Sequence, residues 1–428
     1  MREHRLLGIV MVAILTGGCA TGGESNTLSA RDATAVGELA AIPASSDERE
    51  WLMFFAKLYE RTPEYEEILN RTEELRREFA EYYWYVENLT AQNMSIDNKT
   101  REEFFSRFSA FVLSQEELIK AWERAFDGRV LRNAYYSYTT RLLESLKVYY
   151  PEVDRSALDS MEYVKVLVIP SGAIYGLDED DRFRQALENF VAGGGVLIVF
   201  AQQGGYEFRA LPGGKLSGYG WSEDISSHQA IVTDPSHPIF AGQNSPEVGA
   251  NIDGYFTQWP ENARILMRKK SSRWPVMVEY SYGKGRVIAM TLYTDWAFAT
   301  RKAFSSELAL IRDLLTWAEN PDSVPVYAPG DIAMVPVNVT SRVNVSSRSV
   351  VFIVVDPEKR IIANLGMNLS LAPGESRVVE FEYSMPGKTG IYLVDYALLN
   401  SSGSVVQVTF EAAGFAVSGL AEHSTNPA

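Results

Sequence analysis

The sequence predicts a multidomain fold: a helical N-terminal region, then a three-layer α/β domain, then an all-β sandwich. Three observations predict it. Apolar residues recur at helical spacing up to about residue 126, and strand-like runs then alternate with helices up to 320. Beyond that point only short alternating strands remain, split by Pro-Gly, Asp-Pro and Ser-Gly turns. A chain of 428 residues can give each part its own core. The divisions are a signal segment 1–19, a tether 20–47, a helical region 48–126, an α/β domain 127–320, a sandwich 321–420 and a tail 421–428.

The first element is the signal. Arg2 and Arg5 give it a positive start, and Leu6 to Leu15 form an apolar core too short to span a bilayer. It ends in LTGGCATGG, where small residues precede Cys19, the one cysteine of the chain. This resembles a lipoprotein signal, which implies lipid on the Cys19 thiol, although Thr16 stands where an aliphatic residue is usual and Leu15 is one position early. The alternative is an ordinary cleaved signal in which Cys19 has no role. One cysteine allows no intramolecular disulfide, so cores must hold the domains. Residues 20–47, rich in Ala, Gly, Ser and Thr, read as a flexible tether with a coil dimension of about 30 Å.

Compartment is also signalled by Asn-X-Ser/Thr triplets at Asn70, Asn88, Asn93, Asn98, Asn338, Asn344, Asn368 and Asn400. With 17 asparagines, chance gives about two such triplets, and the acceptors are useful only outside the cell. A glycosylated, extracytoplasmic protein is expected. Forty Lys and Arg against 55 Asp and Glu leave a formal charge of −15. That excludes nucleic-acid binding and electrostatic adhesion to anionic lipid, because no phosphate-neutralising excess exists.

In the helical region, Thr62 as cap and Pro63 at the first position open a helix with Tyr65, Ile68, Leu69, Leu75, Phe79, Tyr82 and Val86 on one face. Capping boxes at Thr100–Glu103 and Ser114–Glu117 predict two further starts, and NLTAQNMSIDNKT reads as an exposed loop. The stripe Phe104, Phe105, Phe108, Phe111, Leu118, Ile119, Trp122 and Phe126 reads as the buried side of a small bundle rather than a carbohydrate platform.

The α/β part starts at GRVL, with a helix in AYYSYTTRLLESLK, a strand in VYYPEV and a doubly covered strand in YVKVLVIPSG. The helix LDEDDRFRQALENFVAGGG carries Asp178, Glu179 and Asp180 at its start and stops at Gly193 before the strand VLIVFAQ. PVMVEYSYGKGRVIAMTLYTDW is a hairpin turning at Gly283-Lys284-Gly285, and a helix from about Ser305 to Trp317 closes the domain. Alternation of this kind implies a largely parallel sheet with helices on both faces. YVKVLVIPSG, FVAGGGVLIVF, DPSHPIFAG and GKGRVIAMTLYTDWAFA together resemble the class I glutamine amidotransferase-like superfamily, in particular non-catalytic branches such as β-galactosidase trimerisation domains. The resemblance covers about 190 residues and implies a flavodoxin-like three-layer fold. In the sandwich, the Y-x-P-G-D opening, P-x-x-T-G-x-Y and a closing F-x-V resemble immunoglobulin-like domains of macroglobulin-type proteins, usually spacers or adhesion modules.

The resemblance also sets where a nucleophile belongs: the turn after the central strand carries a cysteine activated by histidine in catalytic members. Here that turn reads Ala201-Gln202-Gln203-Gly204-Gly205, so no catalytic residue is assigned. Glu223, His228, Asp234 and His237 are the residues that could ligate a metal, but they fall in a stretch that reads as a long loop, and hydrogen-bonded structural histidines are expected instead. Asp253, Glu279 and Asp295 lie near sheet ends without a spacing that selects a catalytic pair. VAGGGVLIV precedes a strand and lacks a following Lys-Ser/Thr, so it is no phosphate loop and no cofactor is expected. Tyr206, Trp221, Tyr255, Trp259, Trp274 and Trp296 could stack on sugars.

The sequence thus predicts a lipid-anchored, non-enzymatic binding or scaffolding protein of the cell envelope, with envelope proteins or surface glycans as partners. A carbohydrate-active hydrolase or carbohydrate-binding protein of the cell surface is one alternative. The other is an accessory lipoprotein of a membrane transport or secretion complex.

Overall fold

A computed structural model describes residues 41–92, 94–321 and 324–421. The signal segment with Cys19, residues 20–40 of the tether, the acceptor Asn93 and residues 422–428 of the tail lie outside the described residues. Among the described residues, 54–125 form one compact unit, and 41–53 with 126–421 form a second. No helix of the described residues is long and apolar enough to cross a membrane.

The first unit takes the end of helix α1 (Ser46–Arg61) and the antiparallel pair α2 (Tyr65–Ala91) and α3 (Asn98–Arg124). Helix α1 begins inside the stretch that reads as tether. Leu58, Tyr65, Ile68, Phe111, Leu118 and Ala121 make the buried cluster. Several sequence expectations shift here. Phe105, Phe108 and Ile119, of the stripe read as buried, are exposed because they stand beside the face that meets the other helix. Helix α2 also runs on through 88–91 of the stretch read as a loop. Thr62 to Glu64 form a turn, closed by Tyr65 N–H on the Thr62 carbonyl, so α2 starts at Tyr65. Asp97 caps α3 by accepting the Thr100 N–H at 2.7 Å. Ser114 starts no helix: α3 runs through it, and its hydroxyl donates back to the Phe111 carbonyl at 2.8 Å. Phe111, Ser114, Leu118 and Ala121 share one buried face, and that burial outweighs the local capping preference of Ser114.

The second unit is built on a nine-stranded sheet. In chain order its strands are β1 (Gly128–Leu131), β2 (Glu152–Val153), β3 (Val166–Ile169), β4 (Val196–Val199), β6 (Ser227–Val232), β7 (Glu247–Ile252), β9 (Arg264–Lys269), β10 (Pro275–Tyr282) and β11 (Gly285–Met290). The order is β2-β1-β3-β4-β11-β10-β9-β6-β7. The first five are mutually parallel, and the hairpin at Gly283-Lys284 reverses direction, so the rest are antiparallel. A short ribbon of β5 (Ser217–Tyr219) and β8 (Tyr255–Gln258) lies outside that sheet.

Alternation along β3 divides the interior. Val166 and Val168 join the core holding Leu142 and Leu143 of α4 (Tyr136–Ser145) and Leu310 and Leu314 of α7 (Ser305–Ala318). Leu167 and Ile169 join the core under Phe183, Leu187 and Val191 of α5 (Asp181–Ala192). The strands are therefore apolar throughout because both faces are covered. Asp180 caps α5, and a short α6 (Thr294–Ala299) follows β11. His228 stands in β6, which corrects the loop reading: its strand is held by antiparallel pairing to β7 and β9, distant in sequence.

The C-terminal strands are β12 (Val326–Tyr327), β13 (Ile332–Thr340), β14 (Ser347–Val355), β15 (Ile361–Leu371), β16 (Ser376–Ser384), β17 (Gly390–Leu399) and β18 (Val405–Val417). They form a five-stranded sheet, β12-β18-β17-β14-β15, and a β13-β16 pair, with a shared core. Val335, Val337 and Val339 point in while Met334, Pro336 and Asn338 point out, the period-two pattern of a half-covered strand. The outer side of β14 and β17 is also covered: Ile42 packs on Ile353, Val355 and Leu393. Arg49 of α1 reaches Asp395 of β17 with two hydrogen bonds, at 2.6 and 2.8 Å, both side chains fully buried. Between α7 and the strands, buried Asp313 accepts the Gly242 N–H at 2.6 Å, and burial pushes its carboxyl up to about 6.

Candidate functional site

The C-terminal ends of the parallel strands bring three loops together, from β3, β4 and β11. Asp295, following β11, is fully buried and accepts four hydrogen bonds. They come from the Ser171 hydroxyl (2.6 Å), the Ser171 N–H (2.9 Å), the Thr139 hydroxyl (2.8 Å) and the Trp296 N–H (2.9 Å). Two oxygens offer about four lone-pair sites, so this carboxylate is saturated. Both the hydroxyl and the N–H of Ser171 are held on it. The trio closes the strand ends as a polar clamp.

The turn after β4 is the one in which the sequence resemblance places a nucleophile. Gln202 stands in it and is fully buried. Its oxygen accepts the Ile174 N–H (2.9 Å), and its amide donates to the Pro170 (3.1 Å) and Phe200 (2.8 Å) carbonyls. The turn packs backbone against backbone: a Cβ on Gly205 would stand 2.0 Å from the Gly218 carbonyl carbon, and one on Gly220 would stand 2.4 Å from the Gln202 carbonyl oxygen. Glycine is required at both.

N–H groups in such a turn could stabilise an oxyanion. Here acids of the chain occupy them. Glu207 accepts the Gly204 N–H at 2.9 Å, and Glu223 accepts those of Gly205 and Gly220, each at 2.9 Å. Glu207 is fully buried, its Oε1 has no hydrogen-bond partner, and burial raises its pKa. Carboxyl oxygens of the chain therefore already occupy these three donors.

Around this turn lies an exposed aromatic rim. Tyr219 packs on Tyr255 with centroids 5.0 Å apart, and Tyr255 stacks on Trp274 at 5.5 Å. Tyr206, Tyr219, Trp274 and Trp296 are exposed. Nearby, Lys269 donates to Asp224 at 2.6 Å, and Ser226 donates to Asp253 at 3.1 Å. Burial raises the pKa of Asp253, whose Oδ1 has no hydrogen-bond partner.

The other sequence candidates are engaged separately. His237 accepts the Ile239 N–H at 3.3 Å and stands edge-on to Trp317 at 5.0 Å. Its Nε2 lies 3.3 Å from Glu279, which Arg286 and Arg264 also approach. Burial works to raise the Glu279 pKa, but His237 and the two arginines outweigh it and lower it. Asp234 pairs with Arg264 and Ser236, and His228 lies 6.0 Å from the Phe304 ring. A different acidic group, Asp127, Glu319 and Glu411, brings its oxygens within 4.8 Å of one another. Tyr150 donates to Glu319 at 2.9 Å, Lys165 lies 3.9 Å from Asp127, and Arg49 lies 3.9 Å from Glu411, so side chains of the protein answer that charge. Of the acceptor asparagines, Asn70, Asn88, Asn98, Asn338, Asn344 and Asn368 are exposed. Asn400 is half-buried, its oxygen taken by Ser402 and Ser404.

No family model matches the chain, and no curated protein matches it. Among solved structures, a β-galactosidase from Bacillus circulans sp. alkalophilus is similar at 12% identity and TM-score 0.33, over 65% of this chain and 45% of that one. An exo-β-1,4-mannosidase from Opitutaceae bacterium strain TAV5 is similar at 16% identity and TM-score 0.29, over 50% of this chain and 37% of that one. A putative GMP synthase component from Thermoplasma acidophilum is similar at 14% identity and TM-score 0.31, over 40% of this chain and 84% of that one. The chain thus spans under half the length of the two glycosidases, and at these TM-scores the likenesses carry no argument about activity.

Proposed function

We propose that this protein is a non-enzymatic binding or scaffolding component of the cell envelope. In this reading Cys19 carries a lipid, the exposed acceptor asparagines carry glycans, and the α/β domain is a degenerate member of the amidotransferase-like superfamily used as a docking surface. The C-terminal strands form an immunoglobulin-like spacer. The observation that carries the reading is the turn after β4: an amide stands in the nucleophile position, and Glu207 and Glu223 hold the N–H groups that would stabilise an oxyanion. Two assays test it. The full chain should release no ammonia from glutamine, and cross-linked pull-down from its native membrane should return a reproducible protein partner. Turnover of glutamine, or an empty eluate, would sink the proposal.

The file of Tyr219, Tyr255 and Trp274 favours a second reading, in which the surface takes carbohydrate. Glycan without protein in the same eluate, lost in Trp274→Ala, is the outcome that selects it.

A further inference from the structure

The five-stranded sheet ends on an unguarded strand. β15 pairs with β14 on one side, and among the described residues nothing hydrogen-bonds to the main-chain groups on its other side. It is 11 residues long and holds no charged residue and no proline. Proteins usually blunt such edges against stray pairing, and the other described edges are blunted. β2 and β12 are two residues long, β5 and β8 three and four, β13 carries Pro336, and β16 carries Arg377, Glu380 and Glu382. On β7, Ser306 donates to the Gly249 carbonyl at 2.6 Å and Glu307 accepts the Asn251 N–H at 2.7 Å. Along β15, Ala363, Leu365 and Met367 face the core yet stay half-buried, while Asn364, Gly366 and Asn368 face out. Nothing described in its own chain calls for glycine at 366: φ is not positive there, and a Cβ would meet no atom within 4 Å. Glycine inside a strand weakens it and often marks a place that another backbone approaches closely.

We propose that β15 pairs antiparallel with β15 of a second copy, about a two-fold axis at Gly366, so that two five-stranded sheets become one of ten strands. A bare edge bonds to any strand through its main chain, so the side chains decide which strand fits. Opposite residues must share a face, and a two-fold axis at 366 satisfies that. Leu365 then stands beside Met367 of the second copy, and each half-buried core edge covers the other. The pairing uses 364–368, inside the stretch from Ala363 to Asn368 that is in regular register with β14. On the outer face Asn364 meets Asn368, and each contact occurs twice. Asn368 leaves the sheet at right angles to the pairing direction, so sugar on that acceptor leaves the edge open. The missing side chains of the two glycines give it room at the axis. No like charges oppose each other across the seam, because the strand has none.

Sedimentation velocity on the full chain in mild detergent tests this, with folding followed by circular dichroism. The wild type should sediment as a dimer at tens of micromolar. Gly366→Lys meets no atom of its own chain and should leave the fold unchanged. It should weaken association about tenfold or more, because two like charges then face each other at the axis. Gly366→Glu should do the same alone, and an equal mixture of the two variants should regain the dimer. Gly366→Cys should close a 366–366 disulfide under mild oxidation, read by mass spectrometry. A wild-type monomer, or a dimer that Gly366→Lys leaves intact, overturns the proposal. A mixture that stays monomeric overturns the axis at 366. So does a Gly366→Cys dimer without that disulfide, and this result is decisive even if the charged variants misfold.

Discussion

Replacing Asp395 with alanine should loosen the start of α1 from β17 by about 3–5 kcal/mol. The magnitude follows from what is left behind. Arg49 is fully buried, its two hydrogen bonds to Asp395 are its ties to that strand, and its third nitrogen already lacks a hydrogen-bond partner. The Glu411 N–H, which donates to Asp395 at 2.8 Å, is stranded as well. Glu411 approaches Arg49 at 3.9 Å and compensates only in part. Because a multidomain chain does not unfold in one step, the assay is hydrogen exchange of amides in residues 41–53 and in β17. Protection there should fall by roughly a hundredfold to a few thousandfold, at 1.4 kcal/mol per factor of ten. Removing both charges, in Arg49→Met with Asp395→Val, should recover most of the loss, since no uncompensated ion stays buried. A drop of less than about fivefold in Asp395→Ala would refute the reasoning. So would a double variant as poor as the sum of its singles.

Asp313 gives a prediction in pH. Its folded carboxyl titrates at about 6 against an ordinary value of 3.8, so its contribution to stability is full below the unfolded value and is lost as pH rises through 6. The whole loss is about 3 kcal/mol at 1.36 kcal/mol per unit, of which about 1.4 kcal/mol falls between pH 5 and 7.5, and denaturation at those two pH values should show that part as a difference between wild type and Asp313→Asn. Gln202→Cys should fold yet release no ammonia from glutamine, because Glu207 and Glu223 still hold the turn's N–H groups. Measurable turnover by that variant would show the N–H groups to be available.

What the sequence discloses depends on the range of the interaction. The strand Val166–Ile169, the Asp180 cap with the Gly193 stop, and the Gly283 turn are set by neighbours in sequence and are legible there. Ser114 misleads because its capping pattern is local, while the face that buries it is completed by α2. His228 reads as loop because the strands that pair with β6 come later in the chain. The clamp of Thr139, Ser171 and Asp295 spans separations of 156 and 124 residues, and Arg49 and Asp395 lie 346 apart. No spacing rule connects residues so distant. That the turn 201–205 holds no cysteine, serine or threonine is legible because it depends only on which residues are present. The carboxylates that occupy the turn are not, because Glu223 comes back to Gly205 from 18 residues further on.

Three backbone N–H groups after β4 are already spoken for, and that sets how such a chain can change over generations. Building thiol-based hydrolysis there would take a thiol at 202, a base beside it, and the departure of both Glu207 and Glu223. Each step alone breaks hydrogen bonds and returns no turnover, so selection meets only the loss. The aromatic rim outside the turn, by contrast, can vary one residue at a time without disturbing these bonds.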